Sequence, residues 1–329
     1  MKAAIPIAAL TCALIGVCSS AAALPRGGTI AAVISIPDGT GALAVGEGAV
    51  WAVSDGGPVL TRIDPDTNVV AATTKVHLNE ICPASPPGCG EAAAGEGGVW
   101  LTHLDDDTVT RVDPRTSDVV ATIKVGSRPI GVATSPGAVW VANSGDPSVS
   151  RIDPSTNRVV ATIRTGAPAV ATDRMAVTAG SGAVWVTGSN AVLRIDPTTN
   201  EIVSKIGLSS RRSGQPCGFL AADERTVWSA SAHCDAWSGH GVVTRLDART
   251  NRSTKIVSGL KAPIGLALGF GSLWVDDLDA KAIDRVDPRT GRLVARLPVG
   301  GYPVRLAIGF GSIWVRDDLG RVLRINPAG

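Results

Sequence analysis

Residues 128–166 read RPIGVATSPGAVWVANSGDPSVSRIDPSTNRVVATIRTG, and this stretch decides the fold. Residues 129–134 form a short apolar run, Ser135-Pro136-Gly137 turns the chain, and 138–143, 149–153 and 158–164 follow with β-branched residues in alternation. The last turn is chemically explicit. Asp153 can accept backbone N–H groups in an Asx-turn, Pro154 fixes φ at the next position, and Asn157 tolerates a positive φ, as does its equivalent Gly291. The stretch predicts four antiparallel strands.

The same pattern is written seven times. A glycine-bearing turn ends in Trp51, Trp100, Trp140, Trp185, Trp228, Trp274 and Trp314, spaced by 49, 40, 45, 43, 46 and 40 residues. About 10 residues after each Trp, or 17 in the fifth copy, comes a second signature: RIDPDTN at Arg62, RVDPRTS at Arg111, RIDPSTN at Arg151, RIDPTTN at Arg194, RLDARTN at Arg245, RVDPRTG at Arg285 and RINPAG at Arg324. Four strands per copy, repeated seven times with no helical period, predict an all-β, seven-bladed β-propeller. The last copy stops one strand short, while residues 28–36 (GTIAAVISI) resemble the missing strand. Residues 29–36 are therefore expected to pair with 321–326, closing the ring and covering two strand edges.

A residue present in every blade is most simply a packing residue. Each indole fills the wedge between sheets, and each Arg makes a repeated ion pair or backbone-carbonyl contact. The repeats resemble the YVTN-repeat (YncE-like) propellers, with Val-Trp-Val-Ala-Asn at 139–143 where that family has its name-giving tetrad. The G-x-G-x-[VLI]-W element is similar to that of the streptogramin B (virginiamycin B) lyase propellers. The resemblance spans residues 29–327 and implies fold more than function.

The N-terminus predicts export. Lys2 precedes an apolar run from Ala3 to Val17, then small residues ending at Ala21-Ala22-Ala23, the three-part pattern of a signal peptide. Residues 1–23 are read as leader and 24–329 as one propeller, secreted or periplasmic; an uncleaved anchor and a lipoprotein on Cys18 are the lesser alternatives. Four cysteines then remain, and an even number in an exported chain suggests disulfides. Cys82 and Cys89 share one insertion, and Cys217 and Cys234 lie in two loops at one end of the same blade. The expected pairs are thus Cys82–Cys89 and Cys217–Cys234; the spacing matches no zinc pattern.

Propeller connections fall on two faces. The turns between strands 1–2 and 3–4 are short throughout, whereas all length variation (77–91, 209–217, 231–242) lies on the opposite face. Loops on a rigid scaffold are where binding sits, so this is the candidate face. It carries His103, Asp105 and Asp106 in blade two, and His233, Asp235, Trp237 and His240 in blade five. Blade six adds Asp277 and Asp279, and blade seven adds Asp317 and Asp318. The third residue after each Trp is usually polar (Ser54, His103, Asn143, Ser231, Asp277, Asp317), which suggests a ring at the channel mouth. Such a mouth would attract a cation, although the full calcium-loop pattern is absent.

A net charge of +2 gives no basic stripe for nucleic acid. The chain is read as an exported, non-enzymatic, monomeric binding or scaffold propeller with no resident cofactor. Its loop-rich face would meet a small ligand, glycan or protein, and a divalent cation is the inorganic ligand its acids would take. The alternative, implied by resemblance, is a metal-assisted C–O lyase of the streptogramin B type. That family's histidine base and Glu-bound magnesium find no His–Glu pairing in the later blades here; His77 with Glu80, and His103, lie in blades one and two.

Overall fold

A computed structural model describes residues 27–36, 41–54, 59–76, 90–166, 175–188, 191–208, 216–217, 219–233 and 241–328. Its described elements are all strands, arranged as seven antiparallel sheets of four, the blade-five sheet extended by the two-residue strand Pro216–Cys217. Blade three runs Pro129–Ser135, Ala138–Asn143, Ser148–Asp153 and Arg158–Arg164, as its sequence predicts. Each blade's first strand packs against that of the next blade all the way round, so the sheets close into a ring with these strands innermost. Blade seven is completed from the other end of the chain: Thr29–Ser35 pairs antiparallel with Arg321–Asn326, from Thr29 opposite Asn326 to Ser35 opposite Arg321. The Ile36 N–H donates to Gly320 O and extends the seam by one residue. No described helix is long and apolar enough to cross a membrane.

The repeated residues account for the ring. All seven repeat tryptophans are fully buried. Six indole N–H groups donate to the residue five positions earlier, at the end of the innermost strand: the carbonyls of Gly46, Gly95, Gly180, Gly269 and Gly309, and Ser135 Oγ. The glycine there is steric as well, since a Cβ on Gly180 would fall 2.6 Å from Ala222 Cβ of the next blade. In five blades the turn that follows has positive φ at both central residues, as at Glu96 (55°) and Gly97 (69°), which matches the right-handed twist of the hairpin.

The repeated arginine does two jobs. Its guanidinium lies over its own blade's indole, at 5.0 Å for Arg111 on Trp100 and 5.2 Å for Arg151 on Trp140. It then reaches into the next blade. Arg111 donates to Pro154 O and Asn157 Oδ1, Arg151 to Pro197 O and Asn200 Oδ1, Arg194 to Ala248 O and Asn251 Oδ1, and Arg324 to Pro65 O and Asn68 Oδ1. The contact is thus to backbone carbonyl and amide oxygen, with the ring stacking on top. The neighbouring Asp serves its own turn: Asp64, Asp113, Asp153, Asp196, Asp247 and Asp287 accept the N–H two residues on. Those turn hydrogen bonds hold all six carboxyls below the usual range, in Asp153 first through the Ser155 hydroxyl.

Candidate binding site at the loop-rich mouth of the channel

Antiparallel order puts the first residues of every inner strand at the loop-rich end. One position there, nine residues before each Trp, is occupied around the ring by Ala42, Glu91, Gly131, Ala176, Phe219, Gly265 and Arg305. Four are small and three are large, and the three large ones meet. Arg305 Nη2 lies 2.7 Å from Glu91 Oε1, and Nε lies 3.3 Å from Oε2. On its other side the guanidinium stacks 4.5 Å from the Phe219 ring centroid. These residues come from blades two, five and seven, no two of them neighbours in the ring, so the contacts cross the channel. Arg305 is 4% exposed, and its Nη1 also donates to Val304 O. The result is a floor across the channel beneath the variable loops.

Blade six contributes a carboxylate by another route. Two residues beyond the Trp, Thr102 Oγ1 accepts Glu91 N–H and Thr187 Oγ1 accepts Ala176 N–H, each steadying the start of its own inner strand. Asp276 holds that position in blade six, where its Oδ1 accepts the N–H groups of Ile264 and Gly265. A Cβ on Gly265 would collide with Asp276 Oδ2, so the carboxylate occupies the space a channel-lining side chain would take. That second oxygen is buried with no partner among the described residues. Burial pushes the carboxyl up to about 7, against the pull of Gly265 N–H and of the Arg305 charge. Nearby, Asp284 is pushed by burial up to about 6, with Arg296 donating to it at 2.7 and 2.6 Å and resisting the rise.

The sign of the pH effect follows. A carboxyl whose folded pKa exceeds its unfolded value of 3.8 gives its full contribution below that value and loses it as pH rises through the folded pKa. Between about pH 4 and 7 these two groups therefore make stability fall with rising pH. Asp276→Asn keeps the acceptor for Ile264 and Gly265 and abolishes the charge. It is expected to leave the urea midpoint nearly unchanged at pH 3.5, below the unfolded value, and to raise it at pH 8; an equal shift at both values would refute the assignment.

The structure places the sequence-derived candidates as follows. His103, Asp277 and Asp317 are buried to within 1% of full burial. His103 Nε2 lies 2.7 Å from Thr110 Oγ1 on the next strand. Asp277 accepts Lys261 and Ala262 N–H at 2.8 Å and Arg296 Nη2 at 3.1 Å, fixing the connection from blade five to six. Asp317 accepts Leu319 and Arg321 N–H at 3.1 Å and Arg321 Nε at 2.8 Å. Ser54 and Asn143 are equally buried, so these polar strand ends lie between sheets. Asp105, Asp279 and Asp318 are exposed and Asp106 half-buried; Asp318 also accepts Tyr302 N–H. His233 ends the strand Thr226–His233, with its backbone paired to Pro216. Asp235, Trp237, His240, Cys82, Cys89 and Cys234 lie outside the described residues, as do His77, Glu80 and residues 1–26. Cys217 pairs through its backbone with Ala232, on the strand that leads toward Cys234. No group of three His, Cys, Asp or Glu among the described residues could hold a metal ion.

Sequence reasoning missed Arg305, Glu91 and Phe219. The signal was the column nine residues before the Trp, where three bulky side chains interrupt a run of Ala and Gly.

Neither a protein-family profile nor a curated protein matches the chain. Solved structures do. The Pan2 WD40 domain of Neurospora crassa superposes with TM-score 0.69 at 12% identity, covering 92% of this chain and 96% of that one. A catalytically inactive virginiamycin B lyase from Staphylococcus aureus with quinupristin gives 0.69 at 14%, covering 90% and 98%. BamB from Moraxella catarrhalis gives 0.60 at 15%, covering 92% and 95%. At these identities the likeness is one of fold: the chain is a seven-bladed β-propeller, similar in architecture to all three.

Proposed function

We propose that this chain is an exported, non-enzymatic propeller of the YVTN-repeat kind that binds a ligand or partner at its loop-rich mouth. One observation carries the reading: Arg305, Glu91 and Phe219 meet across the channel at the end that carries the loops of varying length. Ligands bind propellers and barrels where a rigid frame meets variable loops. The leader supports export, and the cysteine placement supports two disulfides stapling the loops.

Thermal-shift screening of the mature protein against glycans, small metabolites, calcium and magnesium tests this. Hits are expected, and Trp237→Ala or Asp279→Asn should remove them without lowering the unliganded melting temperature. Hits untouched by loop-face variants would overturn the choice of face. The likeness to a lyase crystallised with quinupristin gives a second outcome a definite form. Magnesium-dependent opening of quinupristin, followed by mass spectrometry, would replace the binding reading with the lyase.

A further inference from the structure

On the opposite face, the tip of the turn between the first two strands is filled around the ring by Glu47, Glu96, Pro136, Ser181, Glu224, Phe270 and Phe310, each four residues before its Trp. In three blades this side chain ties the ring together. Glu47 accepts Gly97 N–H, Glu96 accepts Gly137 N–H, and Ser181 donates to Asp223 O, each in the following blade. Blades six and seven carry phenylalanine, which can make no such bond. Phe270 and Phe310 are 42% and 41% exposed and sit at φ 52° and 50°, a region bulky side chains avoid. Their blades are adjacent, and a Cβ on Gly269 would fall 2.9 Å from Ile308 Cδ1. The chain has only three phenylalanines, and two stand here, part-exposed on neighbouring turns whose positive φ is shared by Glu47, Glu96 and Ser181.

The outer turns of the same face say what covers the pair. Four residues after each repeat Arg stand Asp66, Arg115, Ser155, Thr198, Arg249, Arg289 and Ala328 in blades one to seven. Asp66 and Arg249 are both exposed. A two-fold axis lying in this face, passing between blades six and seven and over blade three, sets blade six against seven and blade five against one. Phe270 then meets Phe310 of the second copy, and Arg249 meets Asp66. Like charges meet as well: Glu47 faces Glu224, tempered by the Gly97 N–H on Glu47 and by Arg225 beside Glu224, and the turn carboxylates Asp64 and Asp113 face Asp247 and Asp196, each already accepting N–H groups of its own turn. We infer that this face is a self-complementary interface for a second copy of this chain, anchored by the two phenylalanines and held in register by Asp66 and Arg249. The arrangement is isologous, as two-fold interfaces are, and departs from the monomer expected of the sequence.

Sedimentation velocity of the mature protein tests it. Wild type is expected to dimerise. Phe270→Asn with Phe310→Asn, in which Asn is at ease at positive φ, should weaken association about tenfold or more while the melting temperature holds or rises. Asp66→Arg or Arg249→Asp alone should dissociate the dimer, and the two together should restore it. A monomeric wild type at the highest soluble concentration would overturn the proposal. So would association that the charge exchange fails to rescue, the result expected of a different partner or a lipid surface.

Discussion

Removing residues 24–36 is expected to unfold the ring rather than trim it. Thr29–Ser35 supplies the fourth strand of blade seven, and Ile34 and Ile36 are buried in one cluster with Leu43, Trp314 and Val322. Burial of those two isoleucines contributes roughly 2 kcal/mol each, and the ladder to Arg321–Asn326 adds about 0.5–1.5 kcal/mol per hydrogen bond. A loss of about 5 kcal/mol or more is comparable to the whole stability of many domains. Urea unfolding followed by tryptophan fluorescence should show loss of the cooperative transition, and an unchanged midpoint would refute the closure. A second chain makes the point positively. Grafting residues 27–36 after Gly329 gives blade seven a hairpin like the others, its last two strands joined through Pro327-Ala328-Gly329 and the grafted Gly27-Gly28, and should restore the transition.

Arg305→Leu is expected to cost about 3–5 kcal/mol, because it strands the Glu91 carboxylate inside the channel. Glu91 keeps 16% of its side chain exposed, which puts the expectation at the low end of that range. Arg305→Leu combined with Glu91→Leu should recover most of the loss, since apolar replacements of a buried pair are often neutral or better. Guanidinium unfolding of the four proteins gives the coupling directly. Additive losses would mean that the two residues do not act as a pair. The Phe219 ring stays in place in all four proteins, so the cycle isolates the ion pair from the stacking contact.

The fold was legible because its signals repeat. Trp140 and Arg151 mean little alone, but the same pair at every blade announces a packing role, and the unmatched strand at 28–36 announces the closure. The site was harder to read for a physical reason. In an isolated sheet, alternation separates a buried from a wet face, so His103, Asp277 and Asp317, on the side opposite the Trp, look available. In a propeller each sheet is covered on both sides by its neighbours, and those side chains are packed and bonded where water was expected. Glu91, Phe219 and Arg305 escaped because each is unremarkable within its own blade. Their meaning appears only when the seven blades are superposed and three bulky side chains are seen to point at one axis.

The bond from each Arg to the turn of the following blade gives the ring a sense of direction and an uneven seam. The asparagine acceptor is present at Asn68, Asn157, Asn200 and Asn251 but is replaced by Ser117 in blade two and Gly291 in blade six. Arg285 turns instead to Ser272 in its own sheet, and the Trp228 indole of blade five finds no acceptor among the described residues. The latches thus tie blades two to five in succession and blade seven to blade one, while the Asp277 carboxylate fixes the connection from five to six by another route. A partner resting on the latched arc therefore meets blades stitched turn to turn, whereas one spanning the Ser117 or Gly291 turn meets a junction without that stitch.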